Sequence, residues 1–194
     1  EKGTSILHAA ESVGIKIPTL CYIKDLLPDG SCRMCMVEIE NRGRTKMETA
    51  CTAQVAEGLV VTTNSEKVRN ARRNILDMLL SNHKTDCFSC PSNGDCKLQE
   101  LCFEYGIERT TYSGEQTELP IDDSNKFFTY NPNLCILCHR CVNTCHKIVG
   151  RGAIDTMERG FDSVIGTPFN VDWIDTTCES CGNCVQACPT GALT

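Results

Sequence analysis

The stretch Cys135-Ile-Leu-Cys-His-Arg-Cys-Val-Asn-Thr-Cys145 decides the fold of the C-terminal third, because its cysteine spacing returns 43 residues later. The second copy begins at Cys178 and ends with Cys188-Pro189. Three thiols within seven residues can reach three corners of one inorganic cluster, whereas the fourth corner needs a ligand from elsewhere in the chain. The repeat therefore predicts two cluster-binding loops that arose by internal duplication.

The duplicated spacing is that of two-cluster bacterial ferredoxins, in which each repeat supplies the fourth ligand of the other repeat's cluster. We therefore predict two [4Fe-4S] sites. One site has the ligands Cys135, Cys138, Cys141 and Cys188, and the other has Cys178, Cys181, Cys184 and Cys145. Zinc sites usually combine two separated ligand pairs, and disulfides need an oxidising compartment, so both fit this spacing less well. The haem c pattern Cys135-Ile-Leu-Cys138-His139 also competes, but its cysteines are needed by the cluster, and His139 is predicted to lie on or near the surface.

A third group combines one histidine with three cysteines within fourteen residues: His83, Cys87, Cys90 and Cys96. The histidine ends a predicted helix from Ser65 to Asn82, and turn residues fill the loop that follows. We predict a histidine-ligated [4Fe-4S] cluster here, with a zinc site of one histidine and three cysteines as the alternative. A neutral imidazole in place of a thiolate removes negative charge, which raises the reduction potential.

The first group along the chain contains Cys21, Cys32, Cys35 and Cys51. Gly30 gives the loop backbone freedom, and the alternation of Met36, Val37 and Ile39 predicts a strand after it. Four thiols suit a [2Fe-2S] cluster, although the spacing departs from the plant-type pattern and the motif alone leaves the assignment open. The sixteenth cysteine, Cys102, lies on a predicted helix and is expected to be a buried free thiol.

Charge and hydropathy restrict the class of protein. The net charge of -6 argues against a nucleic-acid surface, and no apolar stretch is long enough to insert in a membrane, so a cytoplasmic protein is predicted. The basic run Arg69 to Arg73 is interpreted as the solvated face of a helix. The opposite, apolar face is predicted to contain Val68, Ile75, Leu76, Met78 and Leu79. Arg33, Lys97 and Arg140 lie near the cysteine loops, where their charge could tune cluster potentials, but they are interpreted first as solvated surface residues.

Words around the cysteines add a family resemblance that covers essentially all 194 residues. They read IPTLCY from Ile17, GSCRMCMVEIE from Gly30, ETACTAQVAEGLVV from Glu48 and GDCKLQELC from Gly94. With these words the chain resembles the N-terminal iron-sulfur region shared by NAD(P)-linked formate dehydrogenase alpha subunits, [FeFe] hydrogenases, including bifurcating ones, and the large peripheral-arm subunit of complex I. The resemblance implies that the Cys21 set holds a [2Fe-2S] cluster and that His83 is a ligand.

The resemblance also implies a function as the electron-transfer part of a multi-cluster oxidoreductase. LPIDDSNKFF from Leu119 and CGNCVQACPTGALT from Cys181 look closest to formate dehydrogenase, with a hydrogenase or an NADH dehydrogenase-like complex as the alternative. Expected partners are a flavin/NAD(P)-binding diaphorase-type subunit or a ferredoxin, together with a catalytic domain or subunit that carries a molybdenum or tungsten pterin or an H-cluster. No catalytic residue is identified in the chain itself. A zinc-organised interaction scaffold is the alternative from another functional class.

The predicted fold class is α+β with three modules. Residues 1–64 form a β-grasp [2Fe-2S] ferredoxin-like domain, 65–115 a small helical module with the histidine-ligated cluster, and 116–194 a two-cluster bacterial ferredoxin-like domain. Since Glu1 is not an initiator and a helix signal follows at Thr4-Ser5, N-terminal strands of the first domain are expected to be missing. Each module has little apolar area to bury, so the protein without clusters is expected to be largely unfolded.

Overall fold

The computed structural model describes residues 3–194, and its N-terminal module packs one helix on a three-stranded sheet. Helix α1 spans Ile6–Ser12, and strands β1 (Met36–Asn41), β2 (Arg44–Thr49) and β3 (Val60–Thr62) are antiparallel in the order β2-β1-β3. Ser5 caps α1, because its hydroxyl accepts a hydrogen bond from the His8 amide. The helix signal at Thr4-Ser5 and the strand after Gly30 are therefore confirmed.

A two-residue hairpin turn sets the register of this sheet. Arg42 and Gly43 both have positive φ, 50° and 76°, and such a turn matches the right-handed twist of the strands that it joins. Pairing then runs from Asn41 opposite Arg44 to Met36 opposite Thr49. As a consequence, the residue before β1 and the residues after β2 lie at the same end of the sheet, where the Ala50 amide donates to the Cys35 carbonyl at 3.0 Å.

Two helices form the central module. Helix α2 spans Glu66–Ser81 and is capped by Ser65, whose hydroxyl accepts from the Val68 amide, and helix α3 spans Lys97–Glu104. The predicted helix from Ser65 to Asn82 is thus confirmed, since these two residues are its caps. Met78 was expected on the apolar face but is half exposed, and Leu80 is buried in its place.

The basic run on α2 is the clearest error of the sequence analysis, because it is not simply a solvated face. Arg72 is only 3% exposed and donates to the Met36 carbonyl at 2.8 Å and to the Tyr105 hydroxyl at 3.0 Å. Arg73 donates to the Tyr105 carbonyl, and the Arg69 guanidinium lies 5.5 Å from the centroid of the Tyr105 ring. The three arginines therefore join α2 to the sheet and to the end of α3.

The C-terminal module has two short helices and a two-stranded antiparallel sheet. Its main elements are α4 (Arg140–Asn143), a π-helical turn (Thr144–Val149), β4 (Asp155–Met157), β5 (Val164–Gly166) and α5 (Asn183–Ala187). Single 3-10 turns lie at Pro132–Leu134, Gly160–Asp162, Pro168–Asn170 and Trp173–Asp175. The last residue, Thr194, exchanges two backbone hydrogen bonds with Thr129, so the end of the chain pairs with the segment that precedes the first cysteine loop.

One hydrophobic cluster joins all three modules. It combines Leu20 and Met34 of the N-terminal module with Leu76 and Leu98 of the two helices and with Ile136 of the first ferredoxin-like loop. The helical module therefore shares its core with its neighbours, and the proposed domain boundaries stay a prediction. Helices and strands occur together, as the α+β class requires. None of the helices in residues 3–194 is long and apolar enough to cross a bilayer.

Candidate metal centres

The predicted ligands fall into four sets, named here the Cys21 group, the His83 group, the Cys135 group and the Cys178 group. Each name stands for the four predicted ligands of one cluster, so Cys188 belongs to the Cys135 group and Cys145 to the Cys178 group. All sixteen cysteines are free thiols in the described chain.

The thiols of the Cys135 group line one cavity together. Burial raises the pKa of Cys135 to about 11 and that of Cys138 to about 12, and neighbouring thiols, including Cys188, add to both shifts. The Leu137 amide points back at the Cys135 sulfur, 3.4 Å away. These thiols resist ionisation on their own, so a bound cation would have to supply the charge that makes them thiolates.

The thiols of the Cys178 group line a second cavity, and Cys145 is among them. The Ser180 amide donates to Cys178 at 3.4 Å, and the Ala153 amide donates to Cys145 at 3.3 Å. Cys181 is the exposed member, and a hydrogen bond from the Asn183 amide lowers the pKa of its thiol. The structure thus places Cys145 beside the second loop and Cys188 beside the first, so each lies with the three cysteines of the opposite repeat.

All four thiols of the Cys21 group are buried where the sheet meets the preceding loop. A hydrogen bond from the Cys32 thiol lowers the pKa of Cys21, and one from the Cys51 thiol lowers that of Cys35, while the pKa of the donor rises in each pair. The Met34 amide donates to the Cys32 sulfur at 3.4 Å. The hairpin therefore brings Cys35 next to Cys51, and the loop before it brings Cys21 next to Cys32.

The His83 group lies at the end of α2 and the start of α3. His83 is 8% exposed, burial lowers its pKa, and its Nδ1 atom has no hydrogen-bond partner among the described residues. Burial is the main cause that raises the pKa of Cys96. The nearby Cys90 and Cys87 thiols add to this shift, so the three cysteines lie close together. The imidazole is therefore neutral at physiological pH, the form that can bind a metal. Cys102 is buried as expected, and its pKa is raised to about 11, mainly by burial.

Two side chains, those of Ser31 and Arg140, connect the loop of the Cys135 group to the segments around the Cys21 group. The Ser31 hydroxyl donates to the Cys138 carbonyl at 3.3 Å. Arg140 donates to the Tyr22 carbonyl at 2.8 Å and to the Ala187 carbonyl at 2.6 Å. The expectation that Arg140 is a solvated surface residue was wrong, because its guanidinium ties the two modules together. Cysteine spacing carries no signal for this contact.

The Cys135 group also touches the His83 group, near Cys188. The Lys97 amide donates to the Pro189 carbonyl at 2.9 Å, and the Cys96 sulfur lies 3.7 Å from the same oxygen. Gly191 packs so tightly that a Cβ atom added there would lie 2.7 Å from the Cys90 sulfur. A side chain at this position would force Cys90 to shift.

The residues fit iron-sulfur clusters by three observations: four thiols around one cavity in each ferredoxin-like group, amide donors aimed at cysteine sulfurs, and an unpartnered buried imidazole nitrogen. Within residues 3–194, no group of three or more His, Cys, Asp or Glu side chains is arranged for a single metal ion.

Three family models match the chain in succession. They describe a 2Fe-2S iron-sulfur cluster binding domain at residues 1–66, the NADH-ubiquinone oxidoreductase-G iron-sulfur binding region at 72–111, and the ferredoxin-like domain of NADH-quinone oxidoreductase subunit 3 at 126–194. The solved structure of an NAD+-reducing [NiFe]-hydrogenase in the H2-reduced state contains a chain with a TM-score of 0.89 and 31% identity, covering 98% of this chain and 80% of that one. The chain belongs to the iron-sulfur family of these complex I and hydrogenase subunits.

Members of this family resemble the chain along its whole length. The NADPH-Fe(3+) oxidoreductase subunit alpha of Geobacter sulfurreducens is 44% identical over 99% of this chain, and the NADP-reducing hydrogenase subunit HndD of Solidesulfovibrio fructosivorans is 39% identical over 99%. The chain spans 22% of the first relative and 33% of the second. The predicted family and fold class are confirmed, with one [2Fe-2S] domain and further [4Fe-4S] domains. These relatives are named as an NADPH-Fe(3+) oxidoreductase and an NADP-reducing hydrogenase, and the second matches the predicted hydrogenase alternative to formate dehydrogenase.

Proposed function

We propose that this chain is the electron-relay region of an NAD(P)-linked multi-cluster oxidoreductase. In this proposal the Cys21 group holds a [2Fe-2S] cluster, and the His83, Cys135 and Cys178 groups each hold a [4Fe-4S] cluster. The single observation that carries it is the convergence of the duplicated cysteines around two cavities with their fourth members exchanged. When bound, the clusters supply one-electron redox chemistry, and the protein supplies their spacing and their insulation from solvent.

The contacts between groups support a branched arrangement with the Cys135 group at its centre. Ser31 and Arg140 tie that group to the Cys21 group, and Pro189 and Gly191 tie it to the His83 group. The Cys178 group shares its domain and carries the exposed Cys181. We infer that the Cys178 group faces the catalytic centre, while the Cys21 and His83 groups face a flavin-containing NAD(P) partner, a ferredoxin or a side branch. A complex with the Cys178 group farthest from the catalytic centre would contradict this order.

The proposed partners are a flavin/NAD(P)-binding diaphorase-type subunit or a ferredoxin, and a catalytic domain or subunit. The names of the relatives favour a hydrogenase or an NADH dehydrogenase-like complex over the formate dehydrogenase that the sequence analysis placed first. Sixteen free thiols need a reducing compartment, which supports a cytoplasmic location.

Metal and sulfide analysis of the anaerobically purified protein tests the relay. Full loading should give about fourteen irons per chain, with matching acid-labile sulfide and EPR signals after reduction. A colourless, EPR-silent protein with stoichiometric zinc and no sulfide would contradict the proposal and favour the zinc-organised scaffold.

A second experiment separates the candidate donors in the native complex. Formate, hydrogen, NADH and NADPH are added one at a time under anaerobic conditions, and reduction of the clusters is followed by EPR. Reduction by NADH or NADPH, and by hydrogen, supports a hydrogenase-type complex, whereas reduction by formate restores the formate dehydrogenase prediction. A complex reduced by none of the four donors would contradict the NAD(P)-linked assignment.

A further inference from the structure

Tyr130 is a buried tyrosine that the proposed relay does not yet use. It lines the same cavity as Cys135, Cys138, Cys141 and Cys188. Its side chain is 5% exposed, and its hydroxyl has no hydrogen-bond partner of normal geometry among the described residues. A buried hydroxyl without a partner is destabilising, so a polar atom in the cavity would stabilise it.

The surroundings of Tyr130 hold its ring in place. The backbone exchanges hydrogen bonds of 2.8 and 2.9 Å with Asp122, and the ring centroid lies 5.3 Å from that of Trp173. The hydroxyl therefore cannot turn to solvent without breaking this packing. Burial raises the pKa of the Tyr130 phenol, and the neighbouring Cys135, Cys141 and Cys188 thiols add to that shift.

The duplication gives an internal comparison. Tyr130 stands five residues before Cys135, and Trp173 stands five residues before Cys178. Trp173 in turn lines the cavity of the Cys178 group. An aromatic residue thus borders each cavity at the equivalent position, but only the Cys135 group receives a phenol.

We propose that Tyr130, when the cluster is bound, donates its hydroxyl proton in a hydrogen bond to a cysteine sulfur of the Cys135 group and thereby raises the reduction potential of the cluster held there. This inference rests on the proposed function. A phenol keeps its proton up to a pH of about 10, so it is a donor under physiological conditions. A donor to a ligand sulfur stabilises the extra negative charge of the reduced cluster, and hydrogen bonds to sulfur are an established control of cluster potential.

The test compares Tyr130→Phe with Tyr112→Phe in the complete, anaerobically purified protein. Tyr112 is 53% exposed and serves as the matched control. In EPR-monitored redox titrations, Tyr130→Phe should shift the midpoint potential of one [4Fe-4S] cluster to a more negative value, while Tyr112→Phe should leave all potentials unchanged. Tyr130→Trp, which copies the other repeat, should give a shift of the same sign. Unchanged potentials in a fully loaded Tyr130→Phe protein would overturn the inference.

A second measurement needs no variant and covers the case in which Tyr130→Phe fails to load its cluster. Wild-type protein is prepared with tyrosine that carries 17O in the hydroxyl group, and the reduced [4Fe-4S] signals are examined by ENDOR. A 17O coupling on one cluster is expected, and its absence from all three would overturn the inference. Lack of iron and sulfide in wild-type protein would instead refute the proposed function itself, so the two failures are distinguishable.

Discussion

The two ferredoxin-like loops share their backbone and differ in their surroundings. Leu137 and Ser180 at one position, and His139 and Gly182 at another, all have positive φ, and in both loops an amide donates to the first cysteine sulfur at 3.4 Å. Yet Cys138 is 6% exposed in the first loop, whereas its equivalent Cys181 is exposed. The cysteine spacing therefore sets the local conformation, and the neighbouring modules determine which loop is buried.

The largest expected effect is common to both loops and concerns removal of the metal. Apolar cores here are small and include the cysteines themselves, so chelation of iron should abolish cooperative unfolding. Circular dichroism melts of holo and iron-free protein under reducing conditions provide the measurement. A cooperative transition in iron-free protein would show that the modules fold without their clusters.

The second prediction compares equivalent ligands, Cys138→Ser and Cys181→Ser. Cys138 lies in the core that joins all three modules, so loss of its cluster should also disturb the neighbours. We expect Cys138→Ser to cost about 3 kcal/mol more than Cys181→Ser, or about 6–12 °C in Tm for a chain of this size. Anaerobic thermal melts with iron analysis measure the difference. Equal losses of stability would mean that burial of the first loop has no energetic consequence.

The contrast between the loops also shows which features can be predicted from sequence. Helix α2 and the β1–β2 strand pair depend on local features of the sequence. These are the Ser65 cap, the periodicity of apolar residues and the turn at Gly43, and each involves residues close together in the chain. The exchange of Cys145 and Cys188 also follows from spacing, since a seven-residue loop supplies only three corners.

Contacts between modules could not be predicted in the same way. Arg72, Arg140 and Tyr130 act through partners that are 33 or more residues away, or through a cavity built from both repeats. An arginine on a helix is usually solvated. Arg72 and Arg140 are exceptions because they donate to backbone carbonyls that only the tertiary structure brings near them. Gly191 is a similar case, because the space that a side chain would need there is occupied by the sulfur of Cys90 in another module.

The third prediction tests the contact that distinguishes the first loop. Arg140 and Asn183 occupy equivalent positions, but only Arg140 donates to carbonyls of two segments, at Tyr22 and Ala187. Arg140→Ala should lower the free energy of unfolding by about 2 kcal/mol, and Asn183→Ala, at an exposed site, should change it by less than about 0.5 kcal/mol. Anaerobic thermal melts of both holoproteins measure this. Arg140→Lys should recover only part of the loss, because a lysine does not reproduce the planar fork.

The smallest expected effect tests whether the two loops have the same left-handed backbone conformation at Gly182 and His139. Gly182 has φ of 73° with nothing within 4 Å of an added Cβ, so Gly182→Ala introduces only left-handed strain, worth about 1 kcal/mol or about 2–4 °C in Tm. The equivalent His139, at φ of 61°, already bears that strain and gains a hydrogen bond of 3.2 Å with Thr156. In His139→Gly, relief of the strain should offset loss of the bond, and Tm should stay near the wild-type value. Thermal melts of both variants measure these changes in Tm. A Gly182→Ala protein as stable as wild type would contradict a left-handed conformation at this position. It would also contradict the equivalence of the two loops.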